Sequence, residues 1–293
     1  MDADLYINEY SFRYNGEDSS ETVVQKILMF GNMIDEIRQY EDNRMFCQST
    51  ELCDTIILPD DVKVMDVLNN QIKDRCITRD FINVFMKMFK HCKRKEGYTQ
   101  ADIKELLEFE CPDLVSAVLV LNKQNELPEN KQIISNLAGW FAFRRFYLGK
   151  YPVDSANFLS EAKKYFKNLI IHSQNKDKYL REVINSHSQR ICINLGVLND
   201  FFIREWTEYP GDIFQFLSFF ATKHHLDGAS SQDGNESFKC AFDGDSVEKR
   251  ACKLHLKMYS NDYGETNQHA RIYFAAPTDG EKCVYVGFIC SHL

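Results

Sequence analysis

The chain has no apolar run approaching the roughly 20 residues that a membrane span requires, so no membrane partner is expected. It also lacks an excess of positive charge: 35 Lys and Arg stand against 43 Asp and Glu, for a net charge of −8. Proteins that coat nucleic acid or an anionic membrane need a basic field, so any such binding here has to come from a local patch. The ten cysteines, at positions 47, 53, 76, 92, 111, 192, 240, 252, 283 and 290, contain no C-x-x-C pair and no regular spacing. No metal site and no disulfide framework is expected from them. The opening Met1-Asp2-Ala3-Asp4 has no basic stretch leading into an apolar one. Together these absences describe a cytoplasmic protein with reduced, mostly buried thiols. Also missing are G-x-x-x-x-G-K-[ST], G-x-G-x-x-G and G-x-S-x-G, which removes the familiar designs for nucleotide hydrolysis, dinucleotide redox chemistry and serine hydrolysis. The sequence calls for no cofactor. Tryptophan is scarce, with 2 residues against 22 Phe and 14 Tyr, so the core is expected to be built from the smaller aromatics.

At 293 residues, 44% of them hydrophobic, the chain is long enough for two or three modules with real cores. The pattern is that of an α+β protein: an N-terminal mixed α/β region over 1–150, a helical region over 151–225 and a C-terminal antiparallel β module over 238–293. Residues 4–14 alternate like a strand, and Asn15-Gly16 turns the chain into a helix over about 20–40. A short strand over Cys53 to Leu58, a helix near Val62 to Leu68 and another over 79–92 follow. Thr99 is placed to cap a helix over 101–109, and Leu114 to Leu121 suits either a strand or a helix. Helices are expected over 136–146, over 156–171 behind Asp154 or Ser155, and over 177–206 as one long helix or two joined near Gly196. A short helix, Ile213 to Ala221, is apolar on every side and should be buried all round. Residues 226–237 have linker composition.

After that linker the period becomes two. Lys253 to Met258, Arg271 to Phe274 and Val284 to Ile289 read as three antiparallel strands. Alternation puts Leu254, Leu256 and Met258 on one face and Lys253, His255 and Lys257 on the other. The expected result is a sheet with an oily back and a cationic, imidazole-bearing front. Such a front could cleave RNA without metal. His255 and His292 would move protons, Arg271 or Lys257 would hold the phosphate, and Tyr273 would stand beside them. Lys253 and Lys257 would serve binding. Against this, any solvated sheet face carries Lys and Arg, and residues 237–293 hold seven basic and seven acidic side chains. His224-His225 with Asp227 has the residue types of a transition-metal site but no ligand spacing. His172 and His187 have the setting of structural histidines, and the basic run Lys90 to Lys95 that of a solvated helix end.

The tail, from His255-x-Lys257 through Arg271-Ile272-Tyr273-Phe274 to Val284–Ile289 and His292-Leu293, resembles an ending shared by uncharacterised prokaryotic proteins found near mobile elements and phage-defence genes. The likeness covers residues 155–293, including Tyr165 to His172 and Leu195 to Phe201. It implies a defence or stress setting. The tail alone also resembles RelE-type messenger-RNA interferases, which likewise place a basic residue on one strand, Arg-Ile-aromatic on the next and a closing apolar strand. In those proteins the closing residue is usually lysine or tyrosine; here it is His292. Two functions follow as expectations: a defence component whose β module recognises a protein or RNA partner, or a metal-independent ribonuclease.

Overall fold

The computed structural model describes residues 1–47, 52–69, 77–94, 114–122, 131–175, 178–231, 239–242, 250–259, 269–278 and 280–291, with positions 102, 105 and 107 between them. The fold is α+β, with a C-terminal sheet that is mainly antiparallel. Its contacts divide the chain into two compact units, Met1–Phe143 and Arg144–Leu293. The helices of the middle third and the C-terminal strands therefore belong to one unit. The chain passes from the first unit to the second within the helix Leu137–Lys150.

The first unit is built on a parallel sheet. Its strands, in spatial order, are Lys93–Arg94, Asn43–Cys47, Asp2–Ile7, Leu114–Leu119 and Ile133–Ile134. Numbered along the chain, that order is 3-2-1-4-5. The chain winds outward from Asp2–Ile7 in one direction, then returns to its other side, which makes the junction of Asp2–Ile7 with Leu114–Leu119 a topological switch point. Val115, Ala117, Val118 and Leu119 are all buried, so Leu114–Leu119 is a central strand covered on both faces. The first strand ends at Ile7, earlier than its alternation suggests. Asn8 takes over as the cap of a 3-10 turn, Glu9–Phe12, its side-chain oxygen accepting from the Tyr10 amide at 3.1 Å. The helix Ser20–Ile37 starts where Ser19 caps it, and helix Arg79–Lys90 packs against it. Gly31 makes that approach possible, because a β-carbon there would collide with Val84. Phe12, Phe30 and Phe85 meet edge-on beneath them at 5.5–6.1 Å, an aromatic core as expected. Of the helix expected over 101–109, only positions 102, 105 and 107 are described, all helical; its Thr99 cap lies outside the described residues.

The second unit carries a five-stranded sheet ordered Leu169–Ile171, Val284–Ser291, His269–Ala275, Leu254–Tyr259 and Ala229–Ser231. Leu169–Ile171 pairs parallel with Val284–Val286, so the helix begun at Ser155 ends at Tyr165 rather than running to Ile171. Its three residues, two of them β-branched, complete the sheet edge instead. Ala229–Ser231 pairs with Leu254–Leu256, so part of the linker-like segment is an edge strand. Residues 232–238, including Phe238, and the Asp243-Gly244 turn lie outside the described residues. From Tyr179 to Glu208 the chain is one helical run. Of the two expected forms it takes the single long one, passing Gly196 without a break and widening into a π-type turn over Leu198–Phe202. The helix Ile213–Lys223 is not buried all round: Phe216, Leu217 and Phe220 are inside, while Phe214 is 57% and Phe219 48% exposed. Among the described residues no helix is long and apolar enough to cross a membrane.

Candidate functional site

Ligands of open parallel sheets bind at the carboxyl ends of the strands, beside the point where strand order reverses, because the loops diverge there and leave a crevice. The first unit has a crevice of about 840 Å³ at the carboxyl end of Asp2–Ile7, on the side of its second strand. Its walls come from residues 9–16, which leave the carboxyl end of Asp2–Ile7, and from residues 54–61, which follow Asn43–Cys47. Glu9, Arg13, Tyr14, Asp54, Thr55 and Asp61 line it.

These walls are braced from several sides. The Asn8 amide donates to Leu119 O at 2.9 Å, and the Ser11 hydroxyl donates to Asn8 O at 2.6 Å while accepting from the Leu121 amide at 2.9 Å. Asn122 donates to Ser11 O at 3.1 Å, joining the loops that leave the two strands of the switch point. The Tyr14 amide donates to Ile56 O at 2.9 Å, and its phenol donates to Asp18 O at 2.9 Å. Asn15 accepts from the amides of Glu17 and Asp18, and Gly16 takes a φ of 81°, which a side chain would disfavour. Asp18 bonds Lys26 at 2.6 Å, and that bond holds its carboxyl below the usual range. Asp60 and Asp61 close the Ile56–Leu58 to Val62–Lys63 hairpin, both with left-handed backbones at φ 61° and 58°.

The electrostatic balance of the crevice is acidic. Glu9, 5% exposed, lines it with the open carboxylates of Asp54, 3.7 Å from Lys63 Nζ, and Asp61, and with Arg13, whose guanidinium lies 5.8 Å from the Tyr10 ring. The neighbouring helix N-terminus is already served by its Ser19 cap and flanked by Asp18 and Glu21. Incoming phosphate would meet more negative than positive charge from the lining.

The C-terminal sheet differs from its expected form. Leu254, Leu256 and Met258 do enter the main core. The opposite face is also covered, by Cys240, Phe242, Cys252, Tyr285 and Phe288 around Tyr273. His255 is 3% exposed and Tyr273 fully buried, so neither belongs to a water-facing front. The cause is the short pair of strands Lys239–Cys240 and Arg250–Ala251, whose cysteines and Phe242 pack on that face. The His255 Nε2 is 2.7 Å from the Ser230 hydroxyl, and its ring lies 5.2 Å from that of Tyr273. Strand register does bring several of the singled-out residues into adjacent rows: His255 opposite Tyr273, and Lys257 opposite Arg271. Arg271 Nη1 reaches the Tyr273 phenol oxygen at 3.4 Å. Lys257 and Arg271 are half-buried, and Lys253 precedes the strand. His292 lies outside the described residues.

His224, His225 and Asp227 do not converge. His224 Nε2 is 3.1 Å from Glu205, which also accepts from Lys223 at 2.8 Å, while Asp227 accepts from the Tyr259 amide. Burial pushes the Glu205 carboxyl up, but these two hydrogen bonds outweigh it and hold the group below its ordinary value. Among the described residues no group of three or more His, Cys, Asp or Glu is placed to hold a metal ion. His172 bonds Ala241 O at 3.0 Å, and His187 lies 2.8 Å from the Ser186 hydroxyl, both structural contacts.

Glu9, Arg13 and Asp54 carry no motif and were not singled out by sequence. The one local sign is the Asn15-Gly16 turn so soon after the first strand, and continuous alternation through Tyr14 hides where that strand ends. Compared with known proteins, the chain matches no family model, no curated protein and no solved structure.

Proposed function

We propose that this chain is a recognition protein whose first unit holds a small polar ligand in the crevice at the carboxyl edge of its parallel sheet. The crevice itself carries the proposal: it has the volume of a small-molecule site and opens at the carboxyl end of Asp2–Ile7, one of the two strands of the switch point, and doubly wound sheets place their ligands at carboxyl ends. Glu9, Asp54 and Asp61 against the Arg13 guanidinium, with Lys63 3.7 Å from Asp54, leave a net acidic lining that favours a ligand offering hydrogen-bond donors or positive charge. Thermal-shift titration tests this with spermidine and arginine beside nucleoside monophosphates. Amines should raise the melting temperature and the nucleotides should not. Asp54→Asn and Asp61→Asn, both exposed positions, should weaken the amine shift; a shift unaffected by both places the ligand elsewhere.

The setting rests on the resemblance of residues 155–293, which supports a role in a prokaryotic defence or stress response, with the C-terminal module contacting a protein or RNA partner through Lys253, Lys257 and Arg271. The alternative is a metal-independent ribonuclease using His255, Arg271, Tyr273 and His292. Burial of His255 and Tyr273 weighs against it, since a general base has to reach the proton it removes. Total RNA incubated with the protein in chelator decides between them: cleavage that is lost in His255→Ala would restore the ribonuclease.

A further inference from the structure

The pairing of Asn43–Cys47 with the outermost strand Lys93–Arg94 carries a second group that the crevice does not use. Cys47 ends the strand Asn43–Cys47, and Cys92 immediately precedes its neighbour Lys93–Arg94, with Cys47 in register with Arg94. That register sets the two side chains near each other, close enough for the Cys47 thiol to lower that of Cys92. They are not alike: Cys47 is 5% exposed, while Cys92 is half-open to solvent. The Arg38 guanidinium lies 3.5 Å from the Cys92 sulfur and is held in place by the carbonyls of Lys87 and Met88. The Cys92 thiol is also 3.1 Å from Met88 O. A half-buried sulfur next to a fixed cation, backed by a buried second thiol, is an arrangement that suits disulfide exchange.

We propose that Cys92 and Cys47 form a thiol–disulfide site in which Cys92 attacks a small disulfide and Cys47 resolves the adduct. In the first step the Cys92 thiolate forms a bond to one sulfur of the small disulfide. That S–S bond breaks, and the other half leaves as a thiolate that takes a proton from water. In the second step Cys47 gives its proton to solvent and attacks the Cys92 sulfur, releasing the second half as a thiol. Two protein thiols are oxidised and one small disulfide is reduced to two thiols. The neighbouring Cys47 thiol, with the charge of Arg38, holds the Cys92 thiol below its ordinary value against burial and the nearby Glu9 carboxylate.

The second unit holds an internal contrast. Cys240 and Cys252 also meet, over the bare backbone of Gly287, where a β-carbon would sit 3.0 and 2.6 Å from their sulfurs. They are 3% and 0% exposed; Cys240 is lowered by its neighbour, while Cys252 is pushed far up by Cys240 and by burial. This pair is sealed.

Oxidised glutathione with the purified full-length protein, followed by alkylation and peptide mass spectrometry, tests the proposal. The expected product links the Cys47 and Cys92 peptides while Cys240 and Cys252 stay reduced. In Cys47→Ser the glutathione adduct should remain on Cys92; in Cys92→Ser no adduct should form on Cys47. The unmodified protein gives an independent measurement: iodoacetamide should label Cys92 several-fold faster at neutral pH than the half-buried Cys53 and Cys283. Its rate should rise with pH through a midpoint below that of an ordinary thiol. Equal labelling of the three, or a linked product at another pair, overturns the proposal.

Discussion

The two sheets of this protein are each five strands wide, and they solve burial in opposite ways. The parallel sheet of the first unit has its faces covered and its carboxyl edge open, because every connection leaving a parallel strand starts from that edge and the loops part where strand order reverses. The mainly antiparallel sheet of the second unit has the polar alternation of a sheet with one wet face, yet both faces are packed in the region of His255 and Tyr273. Alternation therefore shows which residues share a face. It does not show what will be laid over that face. The same contrast runs through the thiols, with one pair at an open edge beside a guanidinium and the other under a closed layer.

Changes in the two regions should separate stability from binding. Phe202 is fully buried and meets Phe216, Phe220 and Phe274 edge-on at 5.1–5.4 Å. Phe202→Ala should cost about 3–5 kcal/mol in urea denaturation, as aromatic truncations in cores do. Gly287→Ala puts a methyl against the Cys240 and Cys252 sulfurs and should cost about 1–3 kcal/mol by overpacking. A loss within error would mean that the covering layer is loose and that the two sheets are less different than their burial indicates. Arg13→Ala, in the crevice wall, should change stability by less than about 0.5 kcal/mol while altering the thermal shift with ligand, as expected of a surface position.

The smallest effect concerns pH. Glu281 accepts from Arg250 Nη1 at 2.9 Å and from Tyr285 at 3.1 Å, and its carboxyl is lowered from 4.5 to about 2, first by the Arg250 bond. A depressed carboxyl stabilises the fold above its unfolded value and loses that contribution as pH falls through its folded value. The wild type should therefore lose stability between about pH 4.5 and 2 more steeply than Glu281→Gln. Because the pair is partly solvated, the difference should stay below about 1 kcal/mol. Denaturant midpoints at a series of pH values measure it, and parallel curves for the two proteins would remove the Arg250–Glu281 contribution.

Much of the architecture was legible in the chain. Asp154, one of the two residues expected to cap its helix, does so through its side chain, and the three C-terminal strands lie where period two put them. The misread segments are short ones whose composition fits two structures. Leu169–Ile171 suits the end of a helix as well as an edge strand, and only its parallel partner at Val284–Val286 decides. Tyr10 and Phe12 continue the alternation of the first strand, but Asn8 stops it by bonding the Tyr10 amide. The crevice could not be read because its wall residues, from Glu9 to Asp61, are brought together by strand order and no motif marks them.

By itself the sequence determined what depends on neighbours along the chain: helix caps, strand alternation, an aromatic core and the residues that share one face of the final sheet. The tertiary structure alone decided which of those faces meets water, which loops part to leave a cavity, and which cysteines come into contact. Local geometry is set by backbone sterics over a few residues, whereas exposure and proximity depend on elements distant in sequence whose packing no short pattern encodes.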